Sequence, residues 1–227
     1  MKQRWLHIGG WALGLTLALS GCAKEFAPDE YDVAREGEGP TTMAIGTLRI
    51  QDGVRTVWVD EATLVYVTNP DRISDLDAGT RIFLEYQPIK EHYPDYCTEA
   101  VYVLWASALD VGVVSTAKSA LGGDPVDIIT DWTTSLEGSF LTIHYRVRAS
   151  GNVQHTFTLA RAEYPGEIVF LHDAHGDTVG DLTEGIVCFP IVSLLPEGET
   201  DSITFSLDYI NLQHTQTRLT FDYRIPE

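Results

Sequence analysis

Positive charge is scarce in this chain. Lysine and arginine together number 15 against 33 aspartates and glutamates, a formal net charge of −18. That balance excludes nucleic acid as a partner, because binding it needs phosphates neutralised by Lys and Arg. Cysteine is scarce as well, with three in 227 residues: Cys22, Cys97 and Cys188. They show no CxxC and no zinc-ligand spacing. Cys97 and Cys188 lie far apart and read either as a pair formed outside the cytoplasm or as two buried thiols. The apolar run at residues 5–19 is shorter than the roughly 20 residues a membrane span needs. No long amphipathic helix can be traced. Absent too are G-x-S-x-G, H-E-x-x-H and Walker A patterns, so no nucleophile–base constellation is visible. Acidic residues are too many for a glycosidase pair to be picked out.

The N-terminus carries an address. Lys2 and Arg4 precede the apolar run, and the run exits through Leu19-Ser20-Gly21-Cys22. A charged start, a short apolar core and small exit residues define a secretory signal over residues 1–21. The last four residues resemble the bacterial lipobox. That resemblance implies diacylglycerol on the Cys22 thiol, cleavage before it and acylation of the new amino group. The acyl chains bury CH₂ groups at ~0.8 kcal/mol each, so the lipid does the membrane work. Cleavage removes two basic residues and no acidic one, which leaves a net charge near −20. Cations, cationic peptides and basic proteins are the natural electrostatic partners, while solubility alone is the plainer use of such a charge. An outer-membrane lipoprotein is expected, on the periplasmic or the cell-surface side.

Residues 22–43 are polar, acidic and bear Gly and Pro, and read as a flexible tether. From Ala44 the pattern is that of strands. "VRTVWV" (54–59), "TLVYV" (63–67), "RIFLEY" (81–86) and "AVYVLWA" (100–106) are rich in β-branched and aromatic residues. Asp52-Gly53, Asn69-Pro70 and Ala78-Gly79 punctuate them as turns. Strands this short and this close suit a small barrel over 44–121. Gly122-Gly123 and Pro125 mark a boundary, and a second domain is expected over 122–227. There "FLTIHYRV" (140–147) sets Leu141, Ile143, Tyr145 and Val147 against Thr142, His144 and Arg146. "ITFSLDY" (203–209) and "LTFDYR" (219–224) alternate in the same way. One buried and one wet face indicate antiparallel sheets packed as a sandwich.

The assembled order resembles the NigD-like lipoproteins of Bacteroidetes. The pieces that carry it are the lipobox and acidic tether, "LDAGTRIFLEYQPI" (76–89), "DPVDIITDW" (124–132), "GSFLTIHYRV" (138–147), "HTFTLAR" (155–161), "IVFLHDAHGD" (168–177) and "GIVCFPIVSLL" (185–195). The resemblance covers nearly the whole mature chain. It implies an OB-like N-terminal barrel followed by a C-terminal β-sandwich, in agreement with the all-β strand reading. It also implies a role in bacteriocin immunity. OB-like barrels commonly bind oligonucleotides or oligosaccharides, but the charge and the address argue against nucleic acid, and fold alone does not fix function.

The stretch "HDAHGD" holds His172, Asp173, His175 and Asp177, all metal-binding types. It follows an apolar run and precedes glycines, so it reads as a polar turn after a strand. A metal site is the alternative, though no partner ligand stands out to complete a zinc set. Asp124, Asp127 and Asp131 lack the spacing of a calcium loop and read as a strand-opening loop. Trp58, Trp105 and Trp132 read as core aromatics, with a carbohydrate platform as the alternative. No catalytic residue, cofactor site or metal site is assigned. The expectation is a non-enzymatic envelope lipoprotein that binds a protein or peptide. A glycan-binding surface lipoprotein comes second and a hydrolase third.

Overall fold

The computed structural model describes residues 40–59, 63–137, 139–195 and 202–224. The signal segment, Cys22 and most of the tether lie outside the described residues. Five strands come first: β1 (Thr42–Gln51), β2 (Val54–Trp58), β3 (Leu64–Val67), β4 (Arg81–Ile89) and β5 (Glu99–Ala108). They close into a barrel in the order β1-β2-β3-β5-β4. β3 and β5 run parallel, and the other neighbours are antiparallel. This is the OB-like arrangement. Residues 42 and 43, expected in the tether, already belong to β1, where they pair with Tyr86 and Glu85. Closing the barrel against β4 requires that length.

Leu48, Val57, Val65, Ile82, Leu84 and Val103 fill the barrel. Each fully buried side chain of this size contributes about 1.5–3 kcal/mol. A short 3-10 turn, Pro70–Ile73, stoppers one end with the buried Ile73. Arg55 secures it by donating to the carbonyls of Ile73 at 2.7 Å, Ser74 at 2.9 Å and Leu76 at 2.9 Å. Asn69 imitates a strand residue. Its amide exchanges two 2.8 Å hydrogen bonds with the backbone of Val103.

Ten further strands follow: β6 (Asp110–Val111), β7 (Val113–Lys118), β8 (Asp127–Ile129), β9 (Ser135–Glu137), β10 (Phe140–Ala149), β11 (Thr156–Arg161), β12 (Glu167–Asp173), β13 (Asp181–Pro190), β14 (Ser202–Ile210) and β15 (Gln216–Arg224). One sheet runs β6-β13-β10-β8, with β9 also on β10, and the other runs β15-β14-β12-β11-β7. Leu141, Ile143, Phe157, Phe170, Phe189, Phe205, Leu207 and Tyr223 pack between them. The expected alternation on β10, β14 and β15 is what buries these faces. Antiparallel sheets were expected, and β10 with β13, β8 and β9, β11 with β12, and β14 with β15 pair in that way, while three further pairs do not. β7 on β11, β12 on β14 and β6 on β13 run parallel. Alternation reports which side chains are buried, not the direction of the neighbouring strand.

The strands over 110–118 fall before the expected boundary at 122, yet they pair with sandwich strands. Leu109 alone separates them from β5. The outer wall of the barrel then packs on the outer face of the β10–β13 sheet. Ile45 and Leu109 meet Cys188 there, flanked by Phe83, Phe140 and Ile186. Arg81 is buried in this seam. Its Nη1 donates to the Thr47 hydroxyl at 3.2 Å, and its guanidinium lies 5.4 Å from the Phe140 ring centre. Its Nε and Nη2 meet no acceptor among the described residues. Burial accordingly lowers its pKa.

Candidate functional site

The strand β12 continues through Asp173, so the turn in "HDAHGD" begins only at Ala174. Ile168, Phe170 and His172 share the inward parity. His172 is therefore a buried strand residue, 2% exposed, and not part of a polar turn. Its ring stacks on Phe157 at 5.1 Å. Its Nδ1 lies 3.1 Å from the Pro125 carbonyl, and its Nε2 lies 2.9 Å from Nδ1 of His155. Desolvation and the nearby His155 hold the His172 pKa below its ordinary value. His155 was not singled out in the sequence. It extends the inward parity of Phe157 and Leu159, and that signal was available.

His175 is on the turn itself, with φ 50°, ahead of Gly176 with φ 85°. Its Nε2 meets the Thr156 hydroxyl at 2.9 Å, and its amide donates to Asp173 at 2.8 Å. Asp177 returns to the interior and accepts the Ser150 amide at 3.0 and 3.1 Å. Burial alone would raise its carboxyl, but the Ser150 bonds and His155 hold it below the usual range. The four residues thus point to different partners. Among the described residues, no group of three or more His, Cys, Asp or Glu is placed to hold a metal ion.

The three aspartates are spent separately. Asp124 accepts the Ala174 amide at 2.8 Å, and Asp127 accepts that of Leu212 at 3.0 Å. Asp131 takes the amide and hydroxyl of Thr133 on one oxygen and Nδ1 of His144 on the other, at 2.9 Å. Burial opposes its charge, yet these bonds keep its carboxyl below the ordinary range. On the far side His144 Nε2 faces Glu184 at 3.5 Å, and Glu184 also holds Arg146. An Asp–His pair of this kind orients a catalytic base when a nucleophile follows. Here a second carboxylate stands in that position.

The tryptophans depart from the core expectation. Trp58 is half-buried, with the Arg49 guanidinium 3.5 Å from its ring centre. Trp105 is 40% exposed and Trp132 is 53% exposed. Trp105 points outward from the barrel, and Trp132 lies in the turn between β8 and β9, outside any strand. Both flank Phe83 at the seam, at 5.8 and 5.7 Å between ring centres. Their planes are tilted to Phe83 by 61° and 47°. Asp131 adjoins Trp132, which sets an acidic network beside this aromatic surface. Cys97 and Cys188 are both buried and unpaired, which settles the two readings left open for them.

Residues 111–223 match the family model described as "NigD-like C-terminal beta sandwich domain". Several solved structures share the fold. A NigD-like immunity protein from Bacteroides caccae is 17% identical, with TM-score 0.59, 85% of this chain covered and 100% of that one. A protein of unknown function from Bacteroides vulgatus is 18% identical, with TM-score 0.67 and 82% and 92% covered. A provisionally named lipoprotein from Bacteroides fragilis is 12% identical, with TM-score 0.61 and 83% and 100% covered. At these identities the likeness is one of fold. No curated protein matches the chain.

Proposed function

We propose that this chain, which belongs to the NigD-like family through its C-terminal β-sandwich, is a lipid-anchored envelope protein that binds a cationic protein or peptide and does no catalysis. The observation that carries the reading is the seam surface. Trp105 and Trp132 stand exposed around Phe83, next to Asp131 and Glu184. Exposed tryptophans are the anchors that dominate protein interfaces. Carboxylates beside them, on a mature chain with a net charge near −20, draw in a basic partner. Immunity against a cationic bacteriocin is the specific form of this reading. The name of the Bacteroides caccae neighbour supports it.

Anchoring rests on Cys22 and its lipobox, with the acidic tether reaching from the outer membrane to the barrel. Labelled fatty acid should enter the wild-type chain and not Cys22→Ala. Incorporation into that variant would sink the anchor.

The binding test is a panel of cationic antimicrobial peptides titrated onto the mature chain at low and high salt. Affinity should fall as salt rises. It should fall further in Trp132→Ala and in Asp131→Asn with Glu184→Gln. Hydrolysis of any ester, peptide or glycan that a single Ser or carboxylate substitution abolishes would make the protein an enzyme and end the reading. A glycan is the second candidate ligand, favoured by the exposure of the two tryptophans. Oligosaccharides run in the same assay separate it, since their binding is indifferent to salt.

A further inference from the structure

A slot opens between the two sandwich sheets, on the side where the chain crosses from one sheet to the other. There β6 ends one sheet, Gly112 turns the chain, and β7 ends the other sheet. The slot holds about 230 Å³. Small-molecule sites usually run to roughly 300–1,000 Å³, so this one suits a single side chain better than a whole cofactor. Its walls include the rings of Tyr145 and Phe157, 4.2 Å apart between centres. Its rim is apolar and open to solvent: Val111, Val113 and Val153 are 63%, 53% and 41% exposed.

Gln154, Thr156 and Thr183 add polar side chains to the lining, and two further polar groups bear on a cation. One is the Asp110 carboxylate, which has no hydrogen bond or ion pair among the described residues. The residue lies on an exposed edge, yet enough protein surrounds the carboxyl for desolvation to push its pKa up. The other is the Tyr145 hydroxyl. Burial, reinforced by the charge of Asp110, pushes it up to about 12, so it remains protonated and able to donate or accept. Gly185 lies against this phenol, and a Cβ there would collide with it. His155 also borders the slot, but its ring nitrogens face His172 and Asp177.

A partly desolvated carboxylate with no partner, beside apolar walls, attracts a cation that brings an apolar stem with it. We propose that the slot receives the side chain of a lysine from a peptide partner. Its methylene stem lies between the two rings and the valine rim, and its ammonium meets Asp110 and the Tyr145 hydroxyl. Lysine fits better than arginine. An ammonium is a compact charge whose three donors reach separate acceptors, whereas a guanidinium fork wants two oxygens of one carboxylate in its plane. The slot opens from the inner face of the β10–β13 sheet, whereas Asp131 and Glu184 act on its outer face. The inference therefore goes beyond the seam surface and does not depend on it.

The test uses the whole mature chain, ¹⁵N-labelled, with Cys22→Ser to remove the lipid. The probes are the peptide acetyl-Ala-Ala-Lys-Ala-Ala-amide and its norleucine counterpart, which keeps the stem and lacks the charge. The lysine peptide should shift the amides of residues 110–113 and 151–156. Norleucine in the probe, or Asp110→Asn in the protein, should weaken binding by roughly fivefold or more, the loss expected when one member of a partly desolvated charge pair goes. Tyr145→Phe should weaken it by less. Trp132→Ala, which tests the seam, should leave this response unchanged. Equal responses to the two peptides, an unaffected Asp110→Asn variant, shifts elsewhere or no shift at all would each overturn the proposal.

Discussion

His155 and His172 are hydrogen-bonded ring to ring, Nδ1 to Nε2, at 2.9 Å. The Pro125 carbonyl can only accept, so Nδ1 of His172 carries a proton and donates to it. In neutral His172 the other nitrogen must then accept, and His155 Nδ1–H is the donor. One backbone oxygen thus fixes a proton on Nδ1 of both rings. Replacing His172 by Ala removes the ring from its stack on Phe157 and strands the His155 donor and the Pro125 acceptor. Urea unfolding should show a loss of about 2–4 kcal/mol. His175→Ala, on the exposed turn, should stay within about 1 kcal/mol. Equal costs for the two would refute the buried-strand assignment.

Stability should fall as the medium is acidified from pH 7 to 5. The folded pKa of His172 is depressed by burial and by His155. The unfolded chain, with an ordinary histidine pKa of about 6.5, therefore takes up its proton first. Stabilisation from neutral His172 is full above that value and is lost as pH drops below it. Asp177 and Asp131, whose folded values are also depressed, add a second loss only at lower pH. Their contribution is full above the ordinary aspartate value of about 3.9 and disappears as pH falls through their folded values. Denaturation midpoints across pH should show the first decline, and His172→Gln should flatten it.

Gly185→Ala should destabilise by about 1–3 kcal/mol, the usual cost of overpacking. The added carbon would meet the Tyr145 phenol. The double variant Gly185→Ala, Tyr145→Leu should recover part of the loss in thermal unfolding. No recovery would mean that the clash lies elsewhere.

Arg81→Met should leave stability unchanged or raise it by about 1–2 kcal/mol, as when a buried charge gives way to an apolar side chain of similar length. The substitution gives up one bond to Thr47 and frees two unmatched donors from burial. A loss above 2 kcal/mol by urea titration would instead assign Arg81 a strong partner.

Both thiols should resist alkylation at neutral pH in the folded protein and react together on unfolding. Desolvation pushes the Cys188 thiol up to about 11 and also raises that of Cys97. Mass spectrometry after iodoacetamide reads this directly. A disulfide-linked peptide pair would contradict it.

Much of this fold could be read from residue order. The barrel strands and their turns stand out because β-branched runs alternate with Asp-Gly and Asn-Pro breaks. Asp52 and Gly53, for instance, both adopt positive φ, 51° and 79°, as a tight hairpin requires. Parallel pairing was not legible, because a side chain's parity is blind to the direction of the neighbouring strand. His172 was legible in principle: Ile168 and Phe170 set the parity that carries it inward. The polar character of "HDAHGD" masked that signal. Trp132 followed the opposite course. Its size suggested core, but the turn between β8 and β9 holds it at the surface. The slot beside Asp110 was beyond sequence reasoning, since it arises where two sheets end together.

Leu109 is the whole connection between the strand that completes the barrel and the first strand of the sandwich. It is buried, and its amide bonds the Arg81 carbonyl at 2.9 Å. A hinge one residue long and sealed on both sides has no slack. Torque applied to one half reaches the other through the backbone itself. A partner gripping the sandwich would therefore turn the barrel with it, and the two halves would move as a rigid crank rather than as two beads on a string.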